Sequence, residues 1–219
     1  MHSFQPITPL IIIGVGLYFI LKSKSPDPEA VRRRNLAALA RKLQLRFSPK
    51  SDFDFAKHYL FLRWLNRGDN NCACNVFQGQ HLAYPVTVFD YTFTAGKCSY
   101  YWSAYLLEMR TNFPDLLISH ENRESRIAEA LGGSHITFES AEFSHAFRVR
   151  SADKQFAFAV CHERMMQFLL ANQDLTIEIR GNILAVLFED WLRPEKVEGN
   201  LSRLVEIRKL LAPYLFTKN

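Results

Sequence analysis

The first 21 residues contain no Lys, Arg, Asp or Glu, and the run from Leu10 to Leu21 is almost wholly apolar. A helix needs about 20 mostly apolar residues to cross a bilayer core of roughly 30 Å. Pro6 and Pro9 fit the start of such a helix, because its first N–H groups have no partner within the helix. We therefore predict a transmembrane anchor over residues 1–22. Its predicted membrane-spanning residues are Pro9, Leu10, Ile11, Ile12, Ile13, Gly14, Val15, Gly16, Leu17, Tyr18, Phe19, Ile20 and Leu21.

Two alternatives to a retained anchor are a cleaved signal peptide and a buried or interfacial helix. A signal peptide has basic residues before its apolar stretch and small residues at its cleavage site. In this chain the basic residues follow the apolar stretch, and no A-x-A-like site comes after Leu21. The pattern therefore favours the retained anchor.

Basic residues directly after the apolar stretch predict the orientation of the anchor. Lys and Arg within about 15–20 residues of a span favour the cytoplasmic side. We therefore expect a single-pass protein of the bacterial inner membrane with its N-terminus outside and its C-terminal domain in the cytoplasm. Cations near the inner leaflet also attract anionic lipids. The candidate headgroup-binding residues are Lys22, Lys24, Arg32, Arg33 and Arg34.

The net charge of +5 is concentrated in one part of the chain. Residues 22–50 contain nine Lys or Arg and two acidic residues, whereas residues 51–219 contain 18 Lys or Arg and 20 acidic residues. A nucleic-acid-binding domain carries its basic residues on the folded part. This distribution argues against nucleic-acid binding. It divides the chain into the anchor, a basic juxtamembrane linker with an amphipathic helix (23–50) and a cytoplasmic domain (51–219).

The pattern after the anchor is typical of an α+β fold, with an antiparallel sheet or sheets of about seven or eight strands packed with four or five helices. Tight turns at 79–81, 95–97 and 181–182 predict antiparallel pairing. Residues 115–180 also follow the β-α-β-β-α-β order of a ferredoxin-like unit. Hydrophobic periodicity predicts helices over 28–45, 51–67, 123–131, 153–171 and 198–215. It predicts strands over 74–78, 86–94, 99–111, 116–119, 136–139, 143–150, 175–180 and 183–188.

No catalytic, cofactor-binding or metal-binding motif stands out in the sequence, so we assign no catalytic residue, cofactor or metal ligand. Cys72 and Cys74 are separated by one residue on a predicted strand, without the paired spacing typical of a metal site. We interpret them as structural thiols, with a metal or redox role as the alternative. Asp90 lies in mid-strand between Phe89 and Tyr91. Such a carboxylate needs a partner when buried. We expect a buried partner such as an arginine, and the alternative is a ligand-facing carboxylate.

A set of spaced residues occurs along the chain: Gly79, Val86, Val88-Phe89-Asp90-Tyr91, Phe113-Pro114, Gly132-Gly133, Ile136, Phe138-Glu139, Phe143-Ser144, Phe147 and Val149. This set resembles an uncharacterised bacterial family whose members have an N-terminal hydrophobic segment and a cytoplasmic α+β domain. The resemblance covers roughly residues 35–215, and its motifs consist mostly of structural residue types. It implies the architecture and no activity.

These observations favour a membrane-anchored protein whose cytoplasmic domain binds or organises a protein partner, more than an enzyme. A cluster of exposed aromatic residues can mark a partner surface. Tyr100-Tyr101-Trp102 is a candidate for such a cluster, with core packing as the favoured interpretation of these residues. The first alternative is a membrane-tethered enzyme or small-ligand sensor, with a pocket that includes Asp90. The second is a peripheral domain that binds anionic lipids.

Overall fold

The computed structural model describes residues 27–121 and 135–216. These residues form six strands, six α-helices and a closing 3-10 turn (Pro213–Phe216). The helices are α1 (Pro28–Lys42), α2 (Phe53–Lys57), α3 (Ala141–Ala146), α4 (Lys154–Val160), α5 (Glu163–Leu170) and α6 (Pro194–Leu210). The strands are β1 (Arg46–Ser48), β2 (Asp69–His81), β3 (Tyr84–Ala95), β4 (Cys98–His120), β5 (Phe147–Ser151) and β6 (Thr176–Phe188).

All six strands belong to one antiparallel sheet in which β4 is the central strand. The order is β1-β2-β3-β4, and β4 also pairs with β5 and β6. The first part of β4 pairs with β3 and its last part pairs with β5, while β6 follows its other side. Two strands thus share one edge of β4 in succession.

The sheet buries a hydrophobic core on each face. Val86 and Val88 point into the first core, which includes side chains from α1, α4, α5 and α6. Phe89 and Tyr91 point into the second core, under the segment that contains α2 and Trp64. Burying a large apolar side chain stabilises a fold by roughly 1.5–3 kcal/mol. Both faces of β3 therefore contribute to stability, as its apolar residues on both faces predict.

Helix α1 is part of this core, although the sequence places it in the linker region. Asp27 caps it by accepting a hydrogen bond from the Glu29 amide at 3.1 Å, and Pro28 occupies the first turn. Leu36 and Ala40 are buried against the first core. Helix α1 therefore belongs to the same folded unit as the strands of the sheet.

A buried carboxylate attaches the α2 segment to the second face of the sheet. Glu178 of β6 accepts hydrogen bonds from the backbone amides of Arg63 at 2.7 Å and Trp64 at 3.0 Å. Burial raises the pKa of Glu178, and the two amides oppose that shift because they favour the ionised form. These hydrogen bonds hold the turns after α2 on the sheet. The predicted helix over 51–67 is therefore too long, because the observed helix covers only Phe53–Lys57.

The predicted α+β class and the antiparallel pairing are confirmed. Within the described residues the sheet has six strands where seven or eight were predicted, and there are six α-helices where four or five were predicted. The predicted strands 99–111 and 116–119 are both parts of β4, and 175–180 and 183–188 are both parts of β6. Pro114 and Gly181 lie where the β4–β6 register shifts, so these turn-like residues bend the strands without ending them.

The region before β6 also differs from the predicted elements. Residues 136–139 form no strand. The predicted strand 143–150 overlaps helix α3, which Ser140 caps, and the observed strand β5 begins at Phe147. The predicted helix 153–171 is two helices, α4 and α5. Between β4 and β6, the described residues contain the single strand β5, so the ferredoxin-like order is wrong for this part. The predicted helix 123–131 lies outside the described residues.

The predicted anchor, with Lys22 and Lys24, also lies outside the described residues. Within 27–121 and 135–216, no helix combines the length and apolar character that a membrane crossing requires.

Candidate functional site

Asp90 lies at the centre of the most polar buried cluster that the structure describes. It follows Val88 on the face of β3 that α1 covers, and its exposed fraction is 0%. Its pairing neighbours in the sheet are Cys74 of β2 and Ser103 of β4. A carboxylate at this depth requires hydrogen-bond donors to offset the loss of water.

Three donors from distant parts of the chain meet at the Asp90 carboxylate. Its Oδ2 accepts from Arg32 Nη1 at 2.9 Å and from Asn75 Nδ2 at 2.7 Å. Its Oδ1 accepts from the Leu192 amide at 2.6 Å. Burial raises the pKa of Asp90, and the three donors oppose that shift. The structure thus gives the buried Asp90 carboxylate an arginine partner, as the sequence predicts, although the Arg32 side chain is itself 18% exposed.

Arg32 connects α1 to both the sheet and the loop before α6. Its Nε and Nη2 donate to Glu29 at 2.8 and 3.0 Å, and its Nη1 also donates to the Leu192 carbonyl at 3.0 Å. Burial disfavours its charge, but the Glu29 hydrogen bonds and the Asp90 charge outweigh burial and raise its pKa. Arg32 was grouped with the headgroup-binding cations, and the structure uses its guanidinium within the fold.

The other two described cations of that group are at the surface. Arg33 is half exposed and donates to Glu29 at 2.9 Å, and Arg34 is exposed. A shallow groove of about 550 Å³ lies beside them, between the first turns of α1 and α6. The groove is lined by Pro28, Val31, Arg32, Asn35, Arg193, Pro194 and Glu195.

An aromatic pair lies next to the Asp90 cluster. The rings of Tyr101 and Trp191 are 4.6 Å apart, and the Arg32 guanidinium lies 5.1 Å from the Trp191 ring. Tyr101 belongs to the aromatic run that was the candidate for a partner surface, and it is 47% exposed. Its neighbour Trp102 is instead buried on the other face, where it packs against Trp64 at 4.9 Å.

A second aromatic group, which we call the α2 aromatic patch (Phe53, Phe55, Tyr59 and Phe61), covers the second face. Phe55 and Tyr59 contact the buried ring of Phe89 at 5.5 and 5.7 Å. Phe61 lies 6.5 Å from Tyr59 and is 42% exposed, and Phe53 is 55% exposed. The α2 aromatic patch thus includes rings that contact the buried core and rings that are exposed to solvent.

The four cysteines are free thiols in different environments. Cys98 is exposed, Cys74 is half-buried, and Cys72 and Cys161 are buried. Burial raises the pKa of Cys74 to about 12 and raises that of Cys161 further. Within the described residues, no three His, Cys, Asp or Glu side chains lie close enough together to hold a metal ion.

We expect one fast-reacting thiol in the folded protein, because only the thiolate form of an accessible cysteine reacts readily. Titration of the native chain with a thiol-specific chromogenic reagent should modify Cys98 first, and denaturant should expose all four. The variant Cys98→Ser should lose the fast phase, while Cys161→Ser should retain it. A fast phase that survives Cys98→Ser would contradict these assignments.

Sequence reasoning identified Asp90 and Arg32 separately but not the site that joins them. Asn75 donates from a bulge in β2 with a φ of 51°, and the Leu192 amide comes from a loop. Neither carries a recognisable sequence signal. Glu29 three residues before Arg32 is the one local signal, since that spacing places both side chains on one helix face.

The comparisons with known proteins give a likeness of fold. No protein-family model and no curated protein matches the chain. Among solved structures, the chain is similar to the crystal structure of the mycobacterial trehalose monomycolate transport factor A, TtfA, with a TM-score of 0.60. The match covers 83% of this chain and 96% of TtfA at 13% sequence identity. At that identity the likeness establishes a shared fold.

Proposed function

We propose that this protein is a single-pass bacterial inner-membrane protein whose cytoplasmic α+β domain binds a protein partner as a scaffold module. The charge-free N-terminal segment and the cations after it support the anchor and its orientation. The fold likeness to TtfA supports the α+β architecture of the domain.

The observation that carries the partner-binding proposal is the α2 aromatic patch. Two of its rings are exposed although they belong to a segment that closes a hydrophobic core. Aromatic side chains supply much of the binding energy at protein interfaces, because they bury a large area at a small entropic cost. A partner that covers Phe53 and Phe61 would extend the core of the domain.

The Asp90 cluster supports a structural role for this carboxylate more than a catalytic or ligand-binding one. Both of its carboxylate oxygens accept hydrogen bonds from protein donors. A ligand would have to displace Arg32, Asn75 or Leu192 to reach them. The remaining alternatives are a small-ligand sensor at the groove between α1 and α6, and an anionic-lipid-binding domain that uses Arg33 and Arg34.

A pull-down of the tagged full-length protein from its native membrane in mild detergent tests the scaffold role. We expect a stoichiometric partner that is lost with Phe53→Ser/Phe61→Ser and retained with Leu82→Ser. Leu82 is a matched control, because it is 63% exposed and lies at the tip of the β2–β3 hairpin, in neither core cluster. Equal retention by both variants would remove the patch as the binding surface, and the absence of any partner would favour a ligand role.

The anchor is tested separately. Carbonate-washed membranes should retain the full chain and release a chain that begins at Lys24. Release of the full chain would contradict the anchor. A phosphatase fused after Asn219 should be inactive, because we expect the C-terminus in the cytoplasm, and periplasmic activity would reverse the orientation.

A further inference from the structure

The Tyr101–Trp191 pair is a partly exposed aromatic surface, in which Tyr101 is 47% exposed and Trp191 is half-buried. The Trp191 ring contacts both the Tyr101 ring, at 4.6 Å, and the Arg32 guanidinium, at 5.1 Å. Its backbone amide donates to Asp190 Oδ1 at 2.9 Å, and the next amide, of Leu192, donates to buried Asp90. The loop that carries Trp191 is therefore attached to the core of the sheet.

This pair lies at the end of the domain where the chain enters from the predicted anchor. Arg193, at the end of the loop, and Pro194, the first residue of α6, line the same groove as Pro28, the first residue of α1. Six residues separate Leu21, the end of the apolar segment, from Pro28. Leu21 and Pro28 are therefore seven residue steps apart, which span at most about 25 Å when fully extended. The first turn of α1 therefore lies within that distance of the bilayer if the anchor spans it.

The side chains at this end suit the headgroup region of a bilayer. Trp and Tyr are enriched at membrane–water interfaces, because their rings are apolar and their edges polar. The nearby charges largely compensate one another: Arg33 pairs with Glu29 at 2.9 Å, and Arg193 pairs with Asp190 at 2.6 Å. The aromatic rings, more than net charge, therefore distinguish this surface.

We propose that Tyr101 and Trp191 rest in the headgroup region of the same bilayer that holds the anchor. The groove end of the domain then faces the membrane and holds the domain in one orientation. This proposal depends on the membrane anchor proposed above. It adds a second contact between the protein and the bilayer, made by the folded domain.

Tryptophan fluorescence can detect this contact, because the chain has three tryptophans and two of them are buried. Trp64 is 2% exposed and Trp102 is 6% exposed. Full-length protein is reconstituted into phosphatidylethanolamine–phosphatidylglycerol vesicles, with and without lipids brominated near the headgroup. We expect brominated lipid to reduce the fluorescence of the wild-type protein. We expect this loss to disappear in Trp191→Phe and Trp191→Tyr, which keep an aromatic ring on Tyr101.

The outcomes separate this proposal from the anchor. Protein that floats with the vesicles but is quenched equally in wild type and in either folded variant would overturn the contact and leave the anchor in place. Flotation with no quenching of the wild type would also overturn it and would favour a protein partner at this surface. Protein that fails to float would contradict the anchor itself. Thermal unfolding of each variant shows that it is folded.

Discussion

Replacing Gly68 by Ala is expected to destabilise the protein by about 2–4 kcal/mol. Gly68 has a φ of 56°, and a Cβ added there would lie 2.0 Å from the carbonyl oxygen of Thr94. That oxygen belongs to the backbone of β3, so it cannot move aside as the end of a flexible side chain can. The left-handed backbone and the clash both oppose the substitution.

Gly96→Ala is the matched control, because Gly96 has nearly the same φ, 61°, with no atom within 4 Å of the added Cβ. Its cost should be limited to the left-handed conformation, about 1 kcal/mol. Chemical unfolding of the full chain in mild detergent compares the two variants. Equal losses of stability would show that the contact with Thr94 contributes nothing.

Gly68 also shows what local sequence signals can and cannot predict. The run Arg67-Gly68-Asp69-Asn70-Asn71 consists largely of residues that favour turns, and the left-handed φ at Gly68 and Asn70 agrees with turn chemistry. The sequence could not show that β2 already begins at Asp69, or that Gly68 packs on the end of β3. That contact depends on strand pairing between residues 26 positions apart.

A related cause explains why four predicted strands form only the two strands β4 and β6. Residues that favour turns occur at Phe113-Pro114 in β4 and at Gly181-Asn182 in β6, and Phe113 pairs directly with Gly181. They form one bend across two strands. Pro114 is tolerated because β3 pairs with β4 only as far as Leu107 and β5 pairs from Leu116, which leaves that edge of β4 without a partner strand at Pro114. The sequence around Pro114 does not show that this edge of β4 lacks a partner strand.

In the β2–β3 hairpin, the predicted position of the turn is wrong. The predicted turn at 79–81 is strand, and the chain turns at Leu82 and Ala83, which adopt φ values of 49° and 67° without glycine. In contrast, alternation along β3 correctly separated Val86, Val88 and Asp90 from Phe89 and Tyr91. Periodicity within one element was therefore informative, whereas the position of a turn depended on tertiary context.

Asp90→Asn is expected to destabilise the protein by about 3–5 kcal/mol, because it removes the charge of the fully buried partner in the Arg32–Asp90 pair and leaves two donors facing an amide. Asn keeps one oxygen, which can accept from the Leu192 amide. Its amide nitrogen then faces two donors, Arg32 Nη1 and Asn75 Nδ2, which lose their acceptor. Total stabilities are about 5–15 kcal/mol, so this loss would be visible as a large shift of the unfolding midpoint.

Glu198→Gln provides the matched control. Glu198 pairs with Lys42 of α1 at 2.8 Å, close to the 2.9 Å of the Arg32–Asp90 pair, but both of its charges are exposed to solvent. Surface pairs of this kind contribute little, so we expect no clear change of midpoint. Arg32→Ala/Asp90→Ala should lose less stability than the two single variants added together, because neither charge is then left buried alone. If Asp90→Asn were as stable as Glu198→Gln, the Asp90 carboxyl would be neutral in the fold, and its contribution would come from packing.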